Sequence, residues 1–253
     1  MHALTGPVTF SDDEIERYAR HLVLAEVGGP GQQRLKAARV GLIGLGGVGA
    51  PAALYLAAAG VGTLRLVDDD RVALSNLQRQ IAFDTADAGR PKVEAGAETL
   101  TALNPHVRIE PVAERLNGAG AARLIEGCDV VIDGTDDFAT RFAVNAACVA
   151  ARIPLVSGAL GRWNGQVGVF TGRPCYRCLV PVAPPEAETC ARVGVIGALA
   201  GVVGSMAAVE AIKLIVGAGQ PLTGRLLIYD GLAGTARTVT VAADPDCPVC
   251  AGG

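Results

Sequence analysis

Charge is scarce in this sequence, and neither sign dominates it. Only 19% of the 253 residues are charged, the formal net charge is -3, and half of the residues are hydrophobic. Proteins that bind nucleic acids by bulk electrostatics carry an excess of Lys and Arg. The composition therefore argues against a nucleic-acid partner and predicts a globular protein with a substantial core.

Signals for export and for common catalytic machinery are also missing. Residues 1–14 lack the basic and apolar regions of a signal peptide, which predicts a cytoplasmic protein. No G-x-x-x-x-G-K-[ST] phosphate loop occurs, which excludes an ordinary P-loop ATPase. None of the three histidines is placed for a Ser-His-Asp triad.

One run, residues 193–209, is apolar or small at every position except Ser205. A membrane span needs about 20 such residues, and this run is shorter and contains four glycines. Small residues allow close helix packing. The run therefore predicts a helix packed inside the protein or at a dimer interface, without a membrane span.

The chain is organised around residues 39–70. The apolar run Val40–Ile43 predicts a buried parallel strand, and it leads directly into a G-x-G-x-x-G pattern formed by Gly44, Gly46 and Gly49. A helix is expected from about Gly47 to Ala59. Glycines let the backbone approach a phosphate, and the free N–H groups at a helix start face the anion.

A second strand, Thr63–Val67, ends in three aspartates and completes a βαβ unit. Asp68 lies nineteen positions after Gly49, near the spacing of about 20 residues at which a carboxylate reaches a ribose hydroxyl. The unit therefore predicts nucleotide binding. It does not identify the nucleotide, and NAD is a common occupant of such sites.

The rest of the chain predicts a single α/β domain over residues 1–253. We expect N-terminal helices over residues 11–37, a nucleotide-binding part over 38–158, and an antiparallel extension with a crossover loop over 159–253. Ser11 and Glu14 form a capping box for a helix that runs to about Val27, with Ile15, Tyr18 and Leu22 as its apolar stripe.

A second acidic cluster, Asp133-Gly-Thr-Asp136-Asp137, follows a predicted strand at 129–132. Ligands of open α/β sheets bind at the carboxyl ends of the strands, so both acidic clusters are expected at one crevice. Segments 166–171, 225–229 and 238–241 look like strands without intervening short helices, which predicts antiparallel strands continuing a Rossmann-like, mostly parallel sheet.

Seven cysteines, an odd number, suit a reducing compartment. Two C-x-x-C pairs, Cys175 with Cys178 and Cys247 with Cys250, predict a closed, structural zinc site with four thiolates. A redox C-x-x-C is the competing interpretation. Cys128 and Cys148 are expected as buried packing residues, and Cys190, in a polar loop, is either a nucleophile or incidental.

Several motifs together resemble the MoeB/ThiF family of ubiquitin-activating-enzyme-like adenylyltransferases. They run in the family's order from about residue 13 to residue 250, and they are GLGGVG from residue 44, DDD from 68, SNLQRQ from 75, RPK from 90, DGTDD from 133, CYRC from 175, the Thr189-Cys190 pair and CPVC from 247. The resemblance covers nearly the whole chain.

This resemblance implies an enzyme that uses ATP and magnesium to adenylylate the C-terminal glycine of a small ubiquitin-like sulfur-carrier protein. The carrier would be of the MoaD or ThiS type, ending in Gly-Gly, in molybdopterin or thiamine-thiazole biosynthesis. Because no sulfurtransferase domain is attached, a separate protein would donate the sulfur. The enzyme would be a homodimer.

The resemblance also assigns residues. Asp136 would position magnesium, and Arg20 would reach the phosphates across the dimer interface, while Cys190 matches a thiol position linked to sulfur chemistry. Arg79 and Lys92 would supply positive charge. The nucleotide would be surrounded by Gly44, Gly46, Gly47, Gly49, Asp68, Asp70, Ser75, Asn76, Leu77, Gln78, Arg79, Lys92, Asp136 and Asp137.

One residue departs from the family pattern. Asp137 stands where the family usually has asparagine, and it either binds metal or caps the following helix. Two other functions stay open from the residues alone. An NAD-dependent oxidoreductase fits the βαβ unit, and a catalytically silent homologue could only bind a carrier protein.

Overall fold

The computed structural model describes residues 9–118, 120–184 and 194–251, and their strands form one eight-stranded sheet of order β3-β2-β1-β4-β5-β6-β7-β8. The first five strands pair in parallel and the last three pairings are antiparallel. This confirms the predicted mixed sheet. The strands are β1 Arg39–Ile43, β2 Thr63–Val67, β3 Arg108–Val112, β4 Val130–Asp133, β5 Leu155–Gly161, β6 Asn164–Phe170, β7 Arg225–Asp230 and β8 Thr235–Thr240.

Helices cover both faces of the parallel strands, so the central strands are buried on both sides. Alternate residues of β1 enter different cores: Leu42 belongs to the core that includes helices Gly49–Ala58, Lys92–Leu103 and Gly197–Val216, and Ile43 to the core that includes Ala121–Ile125 and Phe138–Ala151. The α-helices are α1 Asp12–Arg17, α2 Ala19–Leu22, α3 Gly28–Ala37, α4 Gly49–Ala58, α5 Lys92–Leu103, α6 Ala121–Ile125, α7 Phe138–Ala151, α8 Tyr176–Leu179 and α9 Gly197–Val216.

The N-terminal helix is shorter than predicted. Its capping box is confirmed, since the Glu14 amide donates to Ser11 Oγ at 3.3 Å and the Ser11 amide donates to Glu14 Oε2 at 2.9 Å. The predicted apolar stripe is wrong at Ile15, which is 48% exposed, whereas Tyr18 is buried. The Tyr18 hydroxyl accepts a hydrogen bond from Asn104 Nδ2 at 2.9 Å, which fixes this ring in the interior.

Gly28, Gly29 and Pro30, which follow the predicted end of the N-terminal helix at about Val27, begin a further helix. α3 starts at Gly28, so Pro30 lies in its first turn. Proline is tolerated there because the first amides of a helix have no intrahelical acceptor. α3 ends at Ala37, directly before β1.

The long apolar helix is α9. It has the length and hydropathy of a membrane span, but half of its most apolar window is buried inside the protein, against α4, β5 and β6. A Cβ atom at Gly204 would lie 2.4 Å from Pro51 Cγ of α4. A larger residue would not fit there, so this glycine is required by close helix packing, as predicted.

Candidate nucleotide site and cysteine cluster

A cavity of about 430 Å³ lies at the carboxyl ends of β1, β2 and β4. Both acidic clusters line it, which confirms the prediction that they share one crevice. The sequence-predicted residues on its wall are Gly44, Gly46, Gly47, Asp68, Asp70, Asn76, Arg79, Lys92, Asp136 and Asp137.

The glycine turn is tightly packed. Gly44 has φ +83°, and a Cβ atom at Gly49, the first residue of α4, would lie 1.9 Å from the Gly44 carbonyl oxygen. A Cβ atom at Gly134, from the loop after β4, would lie 2.9 Å from the Gly49 amide nitrogen. Only glycine allows these three backbone segments to approach so closely.

Asp68 ties the end of β2 to this turn. Its Oδ2 accepts the Leu45 amide at 2.7 Å, and its Oδ1 accepts the Asp70 amide at 2.8 Å. Lys92 Nζ lies 3.9 Å from Asp68 Oδ2 and 2.7 Å from Asp70 Oδ2. Burial raises the pKa of the Asp68 carboxyl, and Lys92 and the two amides oppose that rise.

The segment after β2 presents only part of its polar residues to the cavity. Arg79 Nη1 donates to the Ser75 carbonyl oxygen at 3.2 Å, which holds the arginine beside the turn. Gln78 faces the start of α9 instead, where its Nε2 lies 3.5 Å from the Val195 carbonyl oxygen. Of this segment's predicted residues, Ser75, Leu77 and Gln78 do not line the cavity.

Gln80, the last residue of SNLQRQ, lines the cavity and was not assigned a role from the sequence. It is buried, and its Oε1 atom has no hydrogen-bond partner among the described residues. A buried amide oxygen without a partner is costly. Its position at the end of SNLQRQ, a motif predicted to surround a nucleotide, was the available signal.

Asp137 caps a helix, one of the two roles considered for it. Its Oδ1 accepts the Thr140 amide at 2.8 Å at the start of α7, and its Oδ2 lies 3.7 Å from Arg115 Nη2. Arg115 lines the cavity from the loop after β3. The sequence prediction missed this cation because it stands in no recognisable motif.

Arg141 of α7 is a second missed cation on the cavity wall. It is buried, with Nη1 3.8 Å from Asp133 Oδ2 and 3.3 Å from Ser157 Oγ. Its Nη2 donates to the carbonyl oxygens of Thr135 and Gly158. This side chain therefore holds together the ends of β4 and β5.

The described cavity wall carries more negative than positive charge. Its four cationic side chains are Arg79, Lys92, Arg115 and Arg141, and its six carboxylates are Asp68, Asp69, Asp70, Glu114, Asp136 and Asp137. Lys92 and Arg141 each face a buried carboxylate. A polyanionic ligand therefore needs further positive charge from outside this wall.

Three other predicted residues lie elsewhere. Gly49 belongs to the glycine turn but does not line the cavity. Arg20 is exposed on α2 and does not line the cavity either. Cys190 and part of the predicted crossover loop lie in residues 185–193, outside the described part of the chain.

The two C-x-x-C pairs meet in one cluster. Cys175 Sγ lies 3.7 Å from Cys247 Sγ, and Cys178 Sγ lies 3.4 Å from Cys250 Sγ; the four sulfurs are all within 4.8 Å of one another. Disulfide sulfurs are about 2.05 Å apart, whereas four sulfurs around a tetrahedral zinc ion are about 3.8 Å apart. The cluster is therefore compatible with zinc and holds no disulfide.

Cys128 and Cys148 are buried in the core, as predicted. Burial raises the pKa of the Cys128 thiol to about 11 and also raises that of Cys148. Both thiols are therefore protonated at neutral pH, which suits packing residues and disfavours a role as nucleophiles.

The chain is similar to known proteins over almost its whole length. The sequence model described as the ThiF family matches residues 18–249. The chain is 47% identical over 243 residues to the molybdopterin-synthase adenylyltransferase of Escherichia coli, covering 95% of this chain and 98% of that protein. It is 45% identical over 250 residues to the sulfur carrier protein adenylyltransferase of Thermus thermophilus, covering 95% and 92%.

A solved structure, E. coli MccB with MccA-N7isoASN, has the same fold. It superposes with a TM-score of 0.83 over 94% of this chain and 74% of that chain. The sequence identity is only 22%, so this likeness concerns the fold alone.

Proposed function

The chain belongs to the ThiF family, and we propose that it is an ATP-dependent adenylyltransferase that activates the C-terminal glycine of a small ubiquitin-like sulfur-carrier protein. The relatives named for this activity are 45% and 47% identical across nearly the full chain. The structural observation that carries the proposal is the position of Asp68, whose carboxylate lies against the glycine turn. A carboxylate at the end of β2, held by the Leu45 amide of the glycine turn that follows β1, suits a nucleotide ribose.

In the proposed reaction, a carboxylate oxygen of the carrier's last glycine attacks the α-phosphorus of ATP. The bond between this phosphorus and the α–β bridging oxygen breaks, and pyrophosphate leaves. No strong general base is needed, because the attacking carboxylate is already ionised. Arg79 and Lys92, on the cavity wall, stabilise the charge on the phosphates.

We assign magnesium binding to Asp136. Its carboxylate lies on the cavity wall, is exposed, and offers the oxygen ligand that magnesium prefers. The excess of carboxylates on this wall supports the assignment, since a triphosphate there requires a counterion. When bound, magnesium neutralises charge on the phosphate oxygens. Asp137 contributes to the same edge of the site while it caps α7.

We also propose a homodimer in which Arg20 of a second copy completes the site. Arg20 is exposed and does not line the cavity of its own chain. Beside it, a surface groove includes His21, Tyr55 and Val209, and the last two are large, exposed side chains. Apolar side chains exposed together favour an interface.

Zinc is proposed as a structural ion held by Cys175, Cys178, Cys247 and Cys250. Four thiolates leave no open position for a substrate, so the ion would stabilise the fold and take no part in the reaction. Cys190 is proposed to act only in sulfur transfer after adenylylation. A separate sulfur donor and a cytoplasmic location stay predictions from the sequence.

ATP–pyrophosphate exchange tests the proposal. The purified chain is assayed separately with a MoaD-type and a ThiS-type carrier that each end in Gly-Gly. We expect exchange with at least one carrier, and the one that supports it identifies the molybdopterin or the thiamine pathway. Asp136→Ala should abolish exchange, whereas Asp12→Ala, on the exposed start of α1, should not.

The same preparations separate the alternative functions. Tight NAD binding without ATP binding would support an oxidoreductase. Carrier binding without exchange would support a catalytically silent protein. Exchange that survives Asp136→Ala would refute the magnesium assignment alone.

A further inference from the structure

The side chain of Asn145 in α7 contacts Cys175 with one end and the backbone of the next residue, Tyr176, with the other. Its Oδ1 accepts the Tyr176 amide at 2.8 Å, and its Nδ2 lies 3.5 Å from Cys175 Sγ. The residue is 1% exposed. A buried amide is costly unless it is hydrogen-bonded, and these contacts are the partners that Asn145 has in the described structure.

Tyr176, which this contact holds, belongs to two sites at once. Its backbone follows Cys175 in the cysteine cluster, and its side chain lines the nucleotide cavity. The ring packs edge-on against Phe170, with centroids 5.8 Å apart. On another side, the Arg141 guanidinium lies 5.9 Å from the ring centroid.

Arg141 and Asn145 are four positions apart on α7, so their side chains share one face of the helix. Arg141 donates to the Thr135 carbonyl oxygen, directly before Asp136. The contacts therefore run without a gap from the cysteine cluster through Tyr176 and Arg141 to the loop that carries Asp136.

We propose that Asn145 is a positioning residue that locks the first cysteine pair onto α7, so that metal binding at the cysteine cluster is coupled to nucleotide binding in the cavity. The coupling rests on the proposed ATP site, whereas the role of Asn145 toward the cysteine cluster does not. An N–H group that donates to a metal-bound thiolate makes a charge-assisted hydrogen bond. Loss of such an outer contact typically lowers metal affinity by roughly 10- to 100-fold.

Asn145→Asp tests the first step. The carboxylate keeps the shape and can still accept the Tyr176 amide, but it cannot donate to Cys175 and places a negative charge beside it. We expect zinc affinity, measured by competition with a chromogenic chelator, to fall by roughly 10-fold or more. Ala146→Asp, the exposed neighbour on α7, adds the same charge and should keep wild-type affinity.

Reciprocal coupling tests the second step. If the two sites are linked, ATP must raise the affinity for zinc by the same factor by which zinc raises the affinity for ATP. We expect ATP to raise zinc affinity in the wild type. Tyr176→Ala keeps all four cysteines and the backbone contact to Asn145, so it should retain zinc while it loses the ATP effect.

The outcomes separate the two steps. Wild-type zinc affinity in Asn145→Asp would overturn the positioning role. Zinc affinity that is the same with and without ATP, in a wild type that calorimetry shows to bind ATP, would overturn the coupling. If calorimetry detects no ATP binding at all, the proposed function fails, and the zinc measurement on Asn145→Asp still decides the role of Asn145.

Discussion

Lys92 offers the sharpest test of the electrostatics of the site. Its side chain is 5% exposed and faces two carboxylates, Asp70 at 2.7 Å and Asp68 at 3.9 Å. Asp70 is 68% exposed and Asp68 only 8%. Water screens an exposed pair strongly, so the longer contact to Asp68 contributes more to stability. At 3.9 Å and an effective dielectric constant near 20, that attraction is about 4 kcal/mol.

Lys92→Met keeps most of the side-chain volume and leaves Asp68 buried without its cation. Removing one partner of a buried ion pair costs about 3–5 kcal/mol, and we expect the free energy of unfolding to fall by that amount at pH 8. Burial already raises the pKa of Asp68, and Lys92 is the largest influence that lowers it. The pKa therefore rises further in the variant.

The sign of the pH dependence of this stability loss follows from the raised pKa of Asp68. A carboxyl whose pKa is higher in the folded than in the unfolded protein destabilises the fold where it is ionised, and this cost disappears as the pH falls through the folded pKa. The loss caused by Lys92→Met should thus be larger at pH 8 than at pH 5. Adding Asp68→Asn removes the unpaired charge and should restore part of the stability at pH 8.

Urea unfolding at pH 5 and pH 8 of Lys92→Met, Asp68→Asn, the double variant and the wild type measures these differences. Arg123→Met, which breaks an exposed ion pair with Glu114, serves as the control and should cost less than about 1 kcal/mol. A loss of less than about 1 kcal/mol in Lys92→Met, or an equal loss at both pH values, would refute the reasoning.

Three further predictions concern the turn and the cysteines. Gly49→Ala places a Cβ atom 1.9 Å from the Gly44 carbonyl oxygen, so it should lower stability by about 1–3 kcal/mol or more and abolish ATP binding in calorimetry. Burial raises the pKa of Cys128 from 9.0 to about 11, so its contribution to stability is complete below pH 9 and is lost as the pH rises toward 11. Relative to Cys128→Ala, the free energy of unfolding of the wild type should therefore fall by about 1 kcal/mol between pH 8 and pH 10. Cys247→Ser should lose bound zinc by elemental analysis and melt at a lower temperature, whereas unchanged melting of metal-free protein would contradict a structural ion.

The elements predicted best are those whose signals are local. The strand Thr63–Val67 has the predicted bounds, because an apolar run that ends in three aspartates contains its own boundaries. Asp68 meets the glycine turn for a similar reason, since both belong to one βαβ unit. The spacing along the chain was sufficient to place them together.

Predictions that depended on tertiary packing did less well. Ile15 has helical spacing with Tyr18, but the short α1 turns it to solvent. From the sequence alone, Arg141 on α7 looks like an exposed charge. In the fold it lies beside β4 and β5, where four oxygen atoms contact its guanidinium. Arg115 reaches the cavity from a loop whose path no motif specifies.

The charge distribution explains why the overall composition argues against a polyanionic ligand although the proposed function requires one. A net charge of -3 disfavours a polyanionic partner, and the described cavity wall is itself negative. Its two buried cations, Lys92 and Arg141, are engaged with Asp68 and Asp133. They therefore set the positions of carboxylates and backbone more than they attract an anion from solution. In the proposed reaction, Lys92 therefore supplies only part of the charge that a triphosphate needs, and the rest must come from Arg79 and Arg115 of the wall, from magnesium and from Arg20 of a second copy. Such a site would bind its nucleotide only once these separate parts are together.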